Sequence, residues 1–353
     1  MTTKTASPTT GKKVSEKVKQ TWQSLREKQA AYLAKRPHRS FRRTRRRDYA
    51  RSLQLPGYFA FTNEVRRSLW KQRRTFFGLA AVYALITALL VGLSSQDTYT
   101  TITDTLRDTS GDIFQGNVGE VGKAGLLFLT AMSGGFSQTL TEAQQVYAGL
   151  IALLTWLTTV WLLRSILAGH KVKLRDGLYN AAAPILSTFI VAIVLIVQLL
   201  PLALALIAYS AAVSTGLLNS GVAAMLFWIA ASLLAVLSLY WITSTFIALV
   251  VVTLPGMYPL KALKTAGDLV IGRRIRILLR ILWMGLGIFV TWAVVMIPII
   301  LLDTWVKGLW PATASIPTIP VTLLVLSSLT IVWSAGYVYL LYRKVVADDA
   351  DPA

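Results

Sequence analysis

Cysteine is absent from all 353 residues. Disulfides, thiol catalysis and iron–sulfur ligation are thereby excluded, while the redox character of the compartment stays open. Histidine occurs twice, at His38 and His170, too sparsely for a histidine metal centre or a catalytic triad. Acids are scarce: 16 Asp and Glu stand against 36 Lys and Arg. No metal and no cofactor is expected from this inventory. The long apolar runs also lack charge, with Arg280 at the end of one and nothing charged deeper. Ion- and proton-coupled transporters carry buried Asp, Glu, His or Arg, because the coupled charge must be compensated in a low-dielectric medium. That absence argues against a secondary active transporter and against an intramembrane hydrolase built on carboxylates or zinc.

What is present is apolar and basic, in separate places. The mean hydropathy is +0.56 and 54% of residues are hydrophobic, against roughly 45–50% in an average globular domain. The excess lies in six runs: 76–93, 146–163, 183–208, 222–254, 278–302 and 321–342. A spanning helix needs about 20 apolar residues. The predicted fold is an all-α, polytopic transmembrane helical bundle of six spans with a basic, partly disordered cytosolic N-terminal arm. The membrane domain covers 76–345, with a cytosolic tail at 346–353. The first apolar run begins near Phe76, beyond the reach of a signal peptide's apolar core, so it reads as a retained helix. Segment 94–145 is the predicted outer connection. Its stretch 125–136 is apolar but too short to span, hence interfacial or re-entrant.

The arm, 1–57, holds an amphipathic helix over about 12–36, with Val14, Val18, Trp22, Leu25 and Tyr32 on one stripe. It then carries Arg36, Arg39, Arg42, Arg43, Arg45, Arg46 and Arg47. Segment 58–75, with Arg66, Arg67, Arg73 and Arg74, reads as an amphipathic elbow lying on the membrane face before the first span. Each Lys or Arg near an anionic surface is worth about 1 kcal/mol, so these eleven arginines are the expected anionic-surface contacts. Nucleic acid or the ribosome is a rival partner, since phosphates bind such arms without sequence preference. Charge that only fixes orientation is a third reading.

Orientation follows from Lys and Arg in the flanks. The arm and elbow, the 164–175 and 261–280 loops and Arg343-Lys344 hold 33 of the 36; the opposite faces hold Arg107, Lys123 and Lys307. Both termini are therefore expected inside a bacterial cytoplasmic membrane. Within the spans, Gln198, Pro201, Thr243 and Pro298 form the candidate polar or kink site, and the favoured reading of Gln198 is a helix–helix hydrogen bond, the usual use of such a side chain in membranes. Asp104, Asp108 and Asp112 share a helical face but lack the alternating oxygen ligands of a calcium loop. A faint repeat pairs spans two and three with spans four and five, each pair joined by a short amphipathic stretch.

The runs Phe246–Val251, Pro259–Lys264 and Leu269–Arg274 carry a resemblance. A β-branched span end, a short amphipathic segment and a basic turn are similar to the membrane domain of some bacterial glycerophosphoryl diester phosphodiesterases and related integral membrane families, over spans two to six. The catalytic domain of those enzymes has no counterpart here, and Ala266 or Gly267 stands where the amphipathic element often has Ser. The resemblance implies paired membrane helices and an inner-membrane location, and no reaction. No enzyme is expected. The leading expectation is a scaffold or permease-like partner that holds anionic lipid. The alternatives are the membrane subunit of an ATP-driven transporter, with a separate ATPase on the 164–176 or 255–277 loops, and a lipid-modifying enzyme.

Overall fold

The computed structural model describes residues 22–24, 27, 55–92, 141–219, 221–310 and 316–350. The chain divides into two units, Met1–Arg51 and Ser52–Ala353. Of the first, Trp22, Gln23, Ser24 and Glu27 are helical. The arginine cluster 36–47, the rest of the arm helix and the apolar stretch 125–136 lie outside the described residues.

The described residues of the second unit form α-helices and no strand. In chain order these are α1 (Tyr58–Lys71), α2 (Arg73–Leu90), α3 (Glu142–Leu167), α4 (Leu174–Asn180), α5 (Ile185–Ser214), α6 (Gly221–Val251), α7 (Pro259–Val270), α8 (Arg274–Leu309) and α9 (Thr318–Ala350). Six of them, α2, α3, α5, α6, α8 and α9, are long and apolar enough to cross a membrane. The chain is a multipass helical membrane protein.

The ends of the helices differ from the apolar runs for local reasons. The elbow stops at Lys71: Gln72 leaves helical geometry (φ −117°, ψ 37°), so Arg73 and Arg74 open the first spanning helix rather than closing the elbow. The corner is held by Trp70 packing edge-on against Phe77 at 5.9 Å, with Arg73 over the Trp70 ring. α3 starts at Glu142, ahead of the apolar run, because Thr141 and Gln144 form a reciprocal capping box. α6 ends at Val251, since Pro255 restricts the residue before it to extended backbone. α8 runs 36 residues, roughly 54 Å at about 1.5 Å per residue, well beyond an apolar layer of about 30 Å.

The main core lies where α1, the end of α3, the end of α6, α7, the start of α8 and the end of α9 meet. Phe61, Val65, Leu162, Leu163, Ile247, Val250, Ala262, Ala266, Ile277, Tyr337 and Leu341 are fully buried or nearly so there. α5 and the first two-thirds of α6 pair with each other and otherwise present exposed Leu, Ile, Val and Trp side chains. Lipid tails are as apolar as those side chains, so nothing drives them inward. Sequence order alternates long, short and long helix twice, α3–α4–α5 and α6–α7–α8, with Pro201 inside α5 and Pro298 inside α8.

Candidate functional site

Four polar ties gather the Lys- and Arg-bearing helix ends at one end of the bundle. Lys344 Nζ meets Glu64 Oε1 at 3.0 Å, joining α9 to α1. Arg273 Nη1 donates to the Val345 carbonyl at 3.1 Å, and Arg164 Nη1 donates to the Thr253 carbonyl at 3.2 Å. Arg280 Nη2 donates to the carbonyl of Pro56. The exposed Arg66, Arg67, Arg73 and Arg74 share this end.

Arg280 is 7% exposed and is the clamp on α1. Besides its bond to Pro56, its guanidinium lies 4.1 Å from the centroid of the Tyr58 ring and 5.9 Å from that of Phe61. Its Nη1 makes no hydrogen bond; the two ring faces supply the attraction that a buried cation needs. Phe61 in turn packs edge-on against Tyr337 of α9 at 4.8 Å. α1 is thereby fixed across α8 and α9 with a second stripe, Thr62, Arg66, Leu69 and Trp70, facing sideways at helical spacing.

That stripe walls a cavity of about 490 Å³ closed by Phe76 and Phe77 of α2, by Trp283, Gly287, Thr291 and Trp292 of α8, and by Leu326, Thr330, Trp333 and Tyr337 of α9. Most of its interior hydroxyls are already engaged, the buried Tyr337 hydroxyl being without a hydrogen bond. The Thr62 hydroxyl donates to the Tyr58 carbonyl and accepts from Trp283 Nε1 at 3.0 Å. The Thr330 hydroxyl donates to Leu326 and accepts from Trp292 Nε1 at 2.8 Å. The Thr291 hydroxyl donates to the Gly287 carbonyl. What remains towards the space is mainly hydrocarbon and aromatic ring, with the Tyr337 hydroxyl and the Arg66 guanidinium. Arg66 donates once, to Asn63 Oδ1, of the five N–H groups a guanidinium carries.

The intramembrane residues singled out from sequence separate into two places. Gln198 Oε1 accepts from Thr245 at 2.6 Å, and the Gln198 carbonyl accepts from Ser238 at 2.7 Å. Proline at 201 lacks the N–H for its i−4 carbonyl and crowds the turn before it. The Ser238 hydroxyl serves a carbonyl in that disturbed turn. Gln198 is therefore a helix–helix tie between α5 and α6, while Thr243, also on α6, is buried with its hydroxyl returned to the Leu239 carbonyl. Pro298 is elsewhere: its neighbours Met296 and Ile300 pack with Ile319 and Leu326 in a separate cluster.

The sequence singled out the arginines of the elbow but not the cavity beside them. Its walls come from four helices whose spacing along the chain carries no periodic signal; the nearest local cue is the Trp283-Met284-Gly285-Leu286-Gly287 run, two small residues after an indole. Among the described residues, no group of three or more His, Asp or Glu is placed to hold a metal. No family model, curated protein or solved structure matches this chain.

Proposed function

We propose that this chain is a non-enzymatic multipass protein of a bacterial cytoplasmic membrane, with both termini in the cytosol, acting as a scaffold or permease-like partner held against anionic lipid by its basic end and arm. The observation that carries this reading is the collection of Arg66, Arg67, Arg73, Arg74, Arg164 and Lys344 at one end of the bundle. Arginine and lysine concentrate on the cytoplasmic side of membrane proteins, and each near an anionic leaflet contributes about 1 kcal/mol. The α3–α4–α5 and α6–α7–α8 succession also supports kinship with the phosphodiesterase-type membrane domains, as a proposal about fold alone.

A second reading, the membrane subunit of an ATP-driven transporter, draws on α4 and α7. Both short helices lie at the basic end and expose Tyr179 and Leu260, with exposed Tyr258 just ahead of α7, a surface on which a separate ATPase could dock. Gentle extraction of the tagged full chain, followed by mass spectrometry of what stays bound, separates the two. Anionic lipid without a stoichiometric protein partner is the expected result. A stoichiometric ATPase would replace the scaffold reading with the transporter one.

A further inference from the structure

We propose that the cavity between α1, α2, α8 and α9 holds one anionic phospholipid, with an acyl chain in the aromatic slot and the phosphate on Arg66 and Arg73. This rests on the anionic-lipid reading above and gives it a site.

Length comes first. Along α8 the slot reaches from Trp283 to Trp292 and along α9 from Tyr337 to Leu326, roughly 14–16 Å at about 1.5 Å per residue. Half of a hydrocarbon core of about 30 Å is about 15 Å, the depth of a single acyl layer. The slot therefore accepts a chain of the adjoining leaflet from the headgroup level to its end. The volume of about 490 Å³ falls inside the usual ligand-site range of roughly 300–1,000 Å³.

Chemistry comes second. The hydroxyls of Thr62, Thr291 and Thr330 and the indole N–H groups of Trp283 and Trp292 are already bonded, and the lining Tyr337 hydroxyl is buried without a hydrogen bond, so a polar solute would find few partners inside. A hydrocarbon chain needs none. Charge is supplied by Arg66, which lines the slot, and by Arg73, which lies outside the lining over the ring of Trp70, itself a lining residue, 5.9 Å from its centroid. One guanidinium lining a largely apolar slot and a second on a wall tryptophan complement a phosphate joined to an acyl chain, and they discriminate against a zwitterionic headgroup, whose own cation they would repel.

Gly287 provides the test. It lines the slot, and a Cβ built on it meets open space; Gly285, two residues earlier and outside the lining, meets open space as well. Full-length protein would be exchanged in detergent into equal phosphatidylglycerol and phosphatidylcholine, and retained lipid counted by native mass spectrometry. Wild type should keep one phosphatidylglycerol. Gly287→Leu, which fills the slot, and the double variant Arg66→Gln with Arg73→Gln should each lower that occupancy at least tenfold. Gly285→Leu, equally bulky on the same helix, should leave it unchanged and controls for folding. Retention by Gly287→Leu, or equal retention of the two lipids, would overturn the proposal. Soluble glycerol phosphate should not displace the lipid; displacement would mean that the rim reads phosphate without a chain and would also overturn it. A full-length variant with the arginines of 36–47 changed to Gln should lose salt-sensitive association with phosphatidylglycerol vesicles if the surface reading holds. The slot lipid should stay bound in that variant, so the two ideas fail separately.

Discussion

The buried Arg280 is a main tie holding α1. Arg280 joins the Pro56 carbonyl to the rings of Tyr58 and Phe61, and a charged hydrogen bond contributes about 1.5–3 kcal/mol with a desolvated cation–π contact adding about 0.5–2 kcal/mol. Arg280→Met should therefore lower stability by about 2–5 kcal/mol in thermal unfolding of the detergent-solubilised protein. Arg280→Lys should recover little of it, because an ammonium lacks the planar fork that both stacks and donates. An unchanged midpoint in Arg280→Met would remove the clamp from the account. Gln198 is a milder case. Gln198→Leu deletes the bond from Thr245, and polar ties between membrane helices average about 0.6 kcal/mol with a maximum near 1.7, so the loss should stay inside that range. A larger one, or a variant that unfolds, would mean that Gln198 supports more than the α5–α6 pair. Both residues were visible in the sequence as lone polar groups in apolar runs. What each touches was not, because Pro56 and Thr245 are remote from their partners along the chain and no local pattern encodes a contact of that range.

Helices were legible in proportion to how strictly the bilayer dictates them. The six apolar runs correspond to α2, α3, α5, α6, α8 and α9 because a fixed hydrocarbon thickness demands a minimum apolar length. Their termini were less legible, since helices continue into the polar layer under rules of capping: Thr141 with Gln144 extends α3, and Gly169 at φ +87° ends it. The His170 N–H there bonds back to the Ser165 carbonyl, a reversal that needs a left-handed residue. The short helices depend on close approach. On α4, a Cβ at Gly177 would lie 2.8 Å from Leu162 Cγ and Cδ2, and Leu162 is fully buried, so it has little room to yield. Gly177→Val should cost about 1–3 kcal/mol by overpacking and loosen α4 from α3. Hydrogen exchange should then rise over 174–180 while the 185–214 helix keeps its protection. Exchange unchanged in α4 would show that Leu162 can repack.

At the scale of the whole molecule, packing and charge are polarised along the same axis. The buried core and the basic residues share one end, while the distal halves of α5 and α6 leave their side chains to lipid. Charge bias of this kind sets orientation through the residues flanking each span, and Lys307, the exception among the described residues, has a local account. Lys307 is paired with the buried Asp303 at 2.8 Å, one helical turn away, so the pair adds almost no net charge to that face. Absence of cysteine makes the orientation directly measurable, because one introduced thiol is the only reactive one. Lys344→Cys, at the basic end, should resist a membrane-impermeant maleimide in intact cells and react once the membrane is opened. Trp305→Cys, exposed near the far end of α8, should react in intact cells. The reverse pattern would place the basic end outside, and with it the rim arginines, Arg66 and Arg73, on the leaflet poorer in anionic lipid. Labelling of Asp303→Asn in the Trp305→Cys background refines the point. If the lone Lys307 charge then weighs against its face, the introduced thiol should be protected in a minority of molecules, whereas unchanged labelling would mean that the 33 Lys and Arg on the other faces fix the orientation regardless.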